Sequence, residues 1–227
     1  MQSFVANFCV TFTPFLSMLK HLLYVYGFST LTTASLLAAQ APTASLAPAY
    51  QLANDATAAS PQPLHTMWEA LKPDLLKLEG TTWRKYTDVS DALPPDYLVL
   101  YFSAYWCGFC RQFTPQLLEF YNAHSAQLPR VEVVLVSADR TEQDLSLYAQ
   151  AYRLSFPVLA LQEALRPDHP LRAYAGDGIP CLVVLDRQGR IVADSFGRST
   201  LAEGLGAYRA APEVLAQFAD QLRTVAH

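Results

Sequence analysis

The 227-residue chain carries 16 Lys and Arg against 20 Asp and Glu, a formal net charge of −4, and 52% of its residues are hydrophobic. That length holds one domain with an ordinary core plus an appendage. A slightly acidic balance with no basic stripe argues against nucleic acid as a partner.

Composition changes sharply along the chain. Up to Ser60 the only formally charged residues are Lys20 and Asp55, whereas acids and bases are mixed and frequent from Pro61 onward. Lys20 and His21 precede an apolar stretch from Leu22 to Ala39 that closes on Ala39-Gln40-Ala41. A basic start, an apolar middle and a small-x-small ending are the order of a secretory signal. Residues 1–41 are therefore expected to be an N-terminal export signal, with Met18 as an alternative start, and the protein to be periplasmic or secreted. If the segment stays uncleaved it anchors the chain, the one membrane contact expected. Residues 42–63, rich in Ala, Pro, Ser and Thr, read as a flexible linker. The folded domain is expected over 64–227.

In that domain Met67, Trp68, Leu71, Leu75 and Leu78 predict a short helix or irregular cover, interrupted at Pro73 and broken at Gly80. Thr82 to Thr87 is the candidate first strand. Asp88 to Leu93 reads as a short helix or turn, stopped by Pro94-Pro95. Leu98 to Phe102 has the length and apolarity of a buried strand. A turn then leads to Cys107 and Cys110, which open an amphipathic helix with Phe113, Leu117, Phe120 and Tyr121 on its core stripe. Pro115 is expected to kink it. Val131 to Ser137 is a second buried strand, and Asp139 or Thr141 can cap the helix Glu142 to Tyr152. Phe156 to Leu161 is extended, and a small helix lies near Pro170 to Tyr174. Leu182 to Leu185 and Ile191 to Ala193 flank Asp186-Arg-Gln-Gly-Arg, a hairpin signal. Pro212 to Val225 makes a final helix with Val214, Leu215, Phe218 and Leu222 inward. This alternation predicts an α/β fold, a mixed sheet with helices on both faces.

The chemistry concentrates in the stretch from Leu98 to Tyr121, LVLYFSAYWCGFCRQFTPQLLEFY. At a helix N-terminus the first amides have no intrahelical partner and the macrodipole is positive. A thiolate at Cys107 is stabilised there, and its pKa falls below the free value of about 8.5. Cys110, one turn on and on the same face, lies within reach for a disulfide. One sulfur attacks a substrate disulfide and the other resolves the mixed disulfide. Gly178-Ile179-Pro180 is the second element: a Pro leading straight into an apolar strand lacks the ladder N–H, and a cis bond there is a deliberate feature.

At Trp106, Cys107, Gly108, Phe109, Cys110 and Pro115 the chain resembles the thioredoxin superfamily, and Tyr101 to Ala104 with Cys110 to Tyr121 resemble its tryparedoxin and nucleoredoxin branch. The resemblance implies a single thioredoxin-fold domain. It implies Cys107 as nucleophile and Cys110 as resolving thiol. It also implies Trp106, Gly108, Phe109, Ile179 and Pro180 on the substrate side, with Ile179-Pro180 as a cis-Pro loop. The cofactor is then the Cys107–Cys110 disulfide itself. Partners are protein thiols and disulfides and an upstream electron donor; the oligomeric state is not readable. Two positions depart from thioredoxins: Tyr101 stands where they have a buried Asp, so the carboxylate-assisted step does not carry over, and Phe109 replaces Pro.

Cys181 is a third departure, standing where Thr is usual. It is expected as a small buried hydrophobe, with a trapping thiol or a three-Cys metal carrier as the functional alternatives. The function expected is thiol–disulfide oxidoreduction, as a reductant of protein disulfides through Cys-Gly-Phe-Cys. The alternatives are a disulfide oxidase or isomerase, and a non-catalytic binding module whose disulfide is structural. A structural zinc site wants four ligands, and His65, His124, His169 and His227 are scattered, so no metal is expected.

Overall fold

The computed structural model describes residues 62–87 and 94–225. The export signal, most of the linker and the turn expected at Asp88 to Leu93 lie outside the described residues. The described chain belongs to one compact unit.

Helix α1, Leu64–Leu71, buries Leu64, Trp68 and Leu71, an i, i+4, i+7 stripe. A 3-10 turn, Lys72–Asp74, holds Pro73 and ends it. The next residues correct the expectation of helical cover. Leu75–Glu79 is a strand, β1, that turns at Gly80 (φ 63°) into β2, Thr82–Lys85, with Glu79 opposite Thr82. Leu75 and Leu78 continued the apolar series of α1, but Pro73 ends the helical period and a glycine in left-handed backbone supplies a tight hairpin. The first strand thus has a partner that the alternation did not reveal.

From there the expected elements follow closely. Strand β3 is Tyr97–Ser103, helix α2 Gly108–His124, strand β4 Val131–Ser137 and helix α3 Glu142–Tyr152. Pro115 lies inside α2, which runs on through it. Strand β5 is only Val158–Leu159, and it feeds a short helix α4, Leu161–Leu165, that the sequence reading missed. A 3-10 turn, Pro170–Tyr174, precedes β6, Cys181–Asp186, and β7, Ile191–Asp194; helix α5, Ala211–Val225, closes the described chain.

The seven strands form one mixed sheet in the order β2-β1-β5-β4-β3-β6-β7. Strand β3 runs parallel to β4 and antiparallel to β6. The two-residue period of β3 sorts its side chains. Val99 and Tyr101 join Phe113, Leu117, Leu145, Val214 and Phe218 in a core under α2, α3 and α5. Leu98, Leu100 and Phe102 join Leu64, Trp68, Leu71 and Leu171 in a second core under α1 and the 3-10 turn. Both faces of β3 are covered, which is why it reads as a continuous apolar run. The sheet therefore delivers the C-terminal end of β3 to the N-terminus of α2, where the cysteines stand.

Candidate functional site

Cys107 occupies the N-cap of α2 in extended backbone (φ −80°, ψ 112°), and its Sγ accepts the amide of Cys110 at 3.1 Å. The two cysteines are joined in a disulfide with Cα atoms 5.2 Å apart. Cys110 is fully buried and Cys107 nearly so. The capping amide and the helix dipole thus both act on Cys107 Sγ, a position that would favour negative charge on that sulfur. Gly108 follows at the first helical residue, and a Cβ there would meet nothing.

The loop that brings Cys107 into place is held by a carboxylate that sequence reasoning assigned elsewhere. Asp139 was one of two expected caps of α3, but Thr141 takes that role, its hydroxyl accepting the Asp144 amide at 3.1 Å. Asp139 instead is buried and accepts the amide of Tyr105 and the hydroxyl of Ser137, each at 2.9 Å. Burial pushes its carboxyl above the ordinary range, and those two hydrogen bonds oppose the shift. Next to it Trp106 donates its indole N–H to Ala138 (3.3 Å) and remains 63% exposed; Phe109 is 75% exposed. Both aromatic rings stand beside the disulfide in solvent rather than in the core, at a cost a partner surface would offset.

The facing wall is the loop before β6. The Ile179–Pro180 peptide bond is cis, and the Ile179 carbonyl oxygen lies 3.7 Å from Cys107 Sγ. The loop is fixed from behind. Arg198 and Asp194 form an ion pair with side chains only 4% and 0% exposed. The guanidinium also donates to the carbonyls of Ala173, Tyr174 and Ala175, the residues that lead into the loop. Gly176 passes so close to Phe196 that a Cβ would sit 1.7 Å from its ring. From the outside, Tyr208 donates its hydroxyl to the Pro180 carbonyl at 2.7 Å. None of Asp194, Phe196, Arg198 or Tyr208 was singled out from sequence.

Beneath Cys110 lies a cluster of four buried hydroxyls. Tyr148 sits 2.6 Å from both Ser103 and Thr114, and Thr114 donates to the Cys110 carbonyl at 2.8 Å. Tyr101 reaches the same carbonyl at 3.2 Å and lies 3.1 Å from Thr114 and 3.3 Å from Tyr148. Burial pushes the phenol of Tyr101 well above its ordinary range and raises that of Tyr148. Tyr101 thus lies under the second cysteine as a neutral hydrogen-bonding group.

Cys181 is brought to the base of the loop but not to the disulfide. It opens β6 opposite Phe102, and the strand period turns its side chain into the core under α1, on the sheet face away from α2. Burial pushes its thiol up to about 12, so the trapping and metal-carrying roles have no accessible thiolate. His124 closes α2 by stacking on Phe120 and bonding its carbonyl. Among the described residues, no cluster of three or more His, Cys, Asp or Glu is arranged to hold a metal ion, and no helix is long and apolar enough to cross a membrane.

Residues 95–191 match a family model described as Thioredoxin-like. The chain is 37% identical over 105 residues to the nucleoredoxin of Xenopus laevis, covering 45% of this chain and 24% of that protein. It is 33% identical over 123 residues to a probable nucleoredoxin 1 of Arabidopsis thaliana, covering 54% and 21%. The chain thus spans about a quarter or less of the length of these relatives. Among solved structures it is similar to tryparedoxin I from Leishmania major, with 25% identity over 58% of this chain and 87% of that one and a TM-score of 0.45. The sequence match covers the strand, turn and helix that carry both cysteines and extends to the cis-proline loop. Residues 95–191 thus form a thioredoxin-like domain, and the chain is nucleoredoxin-like over the stretch it shares with those relatives.

Proposed function

We propose that the protein is a thiol–disulfide oxidoreductase that reduces protein disulfides, with Cys107 as nucleophile and Cys110 as resolving thiol. The observation that carries this reading is the position of Cys107: its sulfur caps α2 and faces the Ile179 carbonyl at 3.7 Å. In the dithiol form the Cys107 thiolate attacks one sulfur of a substrate disulfide. That bond breaks, the leaving thiolate takes a proton, and a mixed disulfide forms. Cys110, deprotonated, attacks Cys107 Sγ and releases the second substrate thiol. The substrate gains two electrons and two protons, and the Cys107–Cys110 bond seen here is the oxidised product. A dithiol donor must reduce that bond, itself becoming a disulfide, to return the pair to the dithiol form. On the composition of residues 1–41 we place the enzyme outside the cytoplasm, where that donor must be a dedicated one.

The test is the reduction potential of the pair, read by thiol trapping in glutathione and dithiothreitol buffers. A value near about −270 mV is expected for a reductant. A value near about −120 mV would reverse the direction of electron flow, and a pair that resists reduction below about −300 mV would make the disulfide structural and end the proposal.

A further inference from the structure

We infer that Tyr208, with Phe109 and Phe196, builds a specificity pocket for a large apolar side chain beside the disulfide of an extended polypeptide substrate, preferring one with a basic neighbour. The inference rests on the oxidoreductase reading above and names the class of disulfide it serves.

A cavity of about 650 Å³ opens directly beside the cysteines. That volume suits one or two large side chains or a small ligand. Its walls come from three places. Phe109 and Phe113 belong to α2, Pro180 to the cis-proline loop, and Phe196 and Tyr208 to the segment between β7 and α5. The cavity adjoins the disulfide without being lined by it: Phe109, between the two cysteines in sequence, and Ile179, whose carbonyl oxygen lies 3.7 Å from Cys107 Sγ, both form its wall. Its walls are mainly apolar, and Asp177, exposed at the rim, is the one charged residue that lines it.

The segment after β7 is shaped to make this wall. Gly206 donates to the Phe196 carbonyl at 2.9 Å and Arg209 to that of Ser195 at 2.6 Å, so the chain folds back on itself. The fold-back sets Tyr208 against Phe196, ring centroids 5.4 Å apart, and aims its hydroxyl at the Pro180 carbonyl. Tyr208 thus does two things: its ring closes the pocket and its hydroxyl ties that wall to the cis-proline loop. A backbone held beside Ile179 would present its attacked cysteine to Cys107 and a neighbouring side chain to the cavity. A single carboxylate in an otherwise uncharged lining complements Lys or Arg and disfavours the carboxylates of a small anionic disulfide such as oxidised glutathione.

The experiment uses the full chain, reduced and freed of reductant, in single-turnover reactions with disulfide-closed peptides. The peptides differ only beside one cysteine: Phe or Ser at one position, Lys or Glu at the next. Phe is expected to react roughly tenfold or more faster than Ser, the range of an apolar side chain in a fitted pocket. Tyr208→Ala is expected to bring that ratio near one, while Tyr208→Phe, which keeps the ring, retains it. Asp177→Lys is expected to reverse the Lys-over-Glu preference. If Tyr208→Ala fails a melting control, Phe109→Ser, altering an exposed wall residue, is read instead. Equal rates for Phe and Ser peptides, a ratio unmoved by the variants, or faster reduction of oxidised glutathione than of any peptide overturns the pocket and leaves the activity standing. If the reduced pair titrates as two thiols but reduces none of these disulfides, the activity reading falls, and the pocket's role with it.

Discussion

Tyr148→Phe tests whether the hydroxyl cluster beneath Cys110 is a connected network. The variant removes one oxygen and no volume from the core. Two contacts of 2.6 Å link that oxygen to the hydroxyls of Ser103 and Thr114. Thr114 keeps the Cys110 carbonyl as its acceptor, but Ser103 is fully buried and loses its close partner. Two close hydrogen bonds lost at a net of about 1–1.5 kcal/mol each give about 2–3 kcal/mol, Ser103 keeping Tyr101 as a remaining partner. Tyr101→Phe gives up only contacts of 3.1 to 3.3 Å, and its neighbours keep shorter bonds to one another. It should cost about 1 kcal/mol or less. In a domain of this size the difference reads as a Tm lowered by about 5–10 °C for Tyr148→Phe against about 2–4 °C for Tyr101→Phe. The assay is urea unfolding with parallel melts of the oxidised protein. Because the two oxygens share Thr114, the double variant should cost less than the sum by about 0.5 kcal/mol or more. Equal costs, a larger loss at Tyr101, or strict additivity would refute the network.

Three other predictions follow from buried groups. Arg198→Met leaves the Asp194 carboxylate buried without its counter-ion and should cost about 3–5 kcal/mol in the same unfolding assay; Asp194→Leu with Arg198→Met should recover part of it. Cys181, its thiol pushed up to about 12 by burial, should resist iodoacetamide in the folded reduced protein and react in denaturant, while Cys107 reacts in both, as peptide mapping reads directly. His169 is held below the ordinary imidazole range by burial first and by Arg166 second, and its Nδ1 accepts the Leu171 amide at 3.2 Å. A depressed folded pKa means that the unfolded chain binds more protons, so stability is lost as pH falls through the unfolded value of about 6.5. His169→Asn, which can cap without titrating, should lose less stability than the parent between about pH 7.5 and 5.5.

Much of the fold was legible because its elements obey single periods. Val131–Ser137 and Glu142–Tyr152 were bounded to the residue, and the stripe Val214, Leu215, Phe218, Leu222 is buried as the 3.6-residue period requires. The hairpin of β1 and β2 was half missed, since Leu75 and Leu78 extend an apolar series whose change from helix to strand is marked only by Pro73 and Gly80. Of the residues singled out in the sequence, the structure sets Trp106 and Phe109 beside the cysteine pair by the motif itself, and brings Ile179-Pro180 to it through the fold. The sequence could not locate Tyr148, Arg198 or Tyr208, which reach the site from other elements through tertiary contact alone. Asp139 was noticed for the wrong reason: a carboxylate before a helix suggests a cap, and only the fold shows it turned back to the Tyr105 amide.

The strand order also bears on how copies of the chain behave in crowded solution. Without its N-terminal hairpin the sheet would end at β5, two apolar residues with an open row of amides and carbonyls. Such a rim is a template for another chain's backbone. The hairpin covers it with β1 and moves the rim to β2, a four-residue strand bearing Arg84 and Lys85, while Trp83 turns inward to bond Ser146 at 3.0 Å. Two like-charged rims approaching one another repel, and a short strand offers little pairing to offset that. The hairpin therefore acts as a guard against self-association through this edge of the sheet, because the rim it leaves is short and charged.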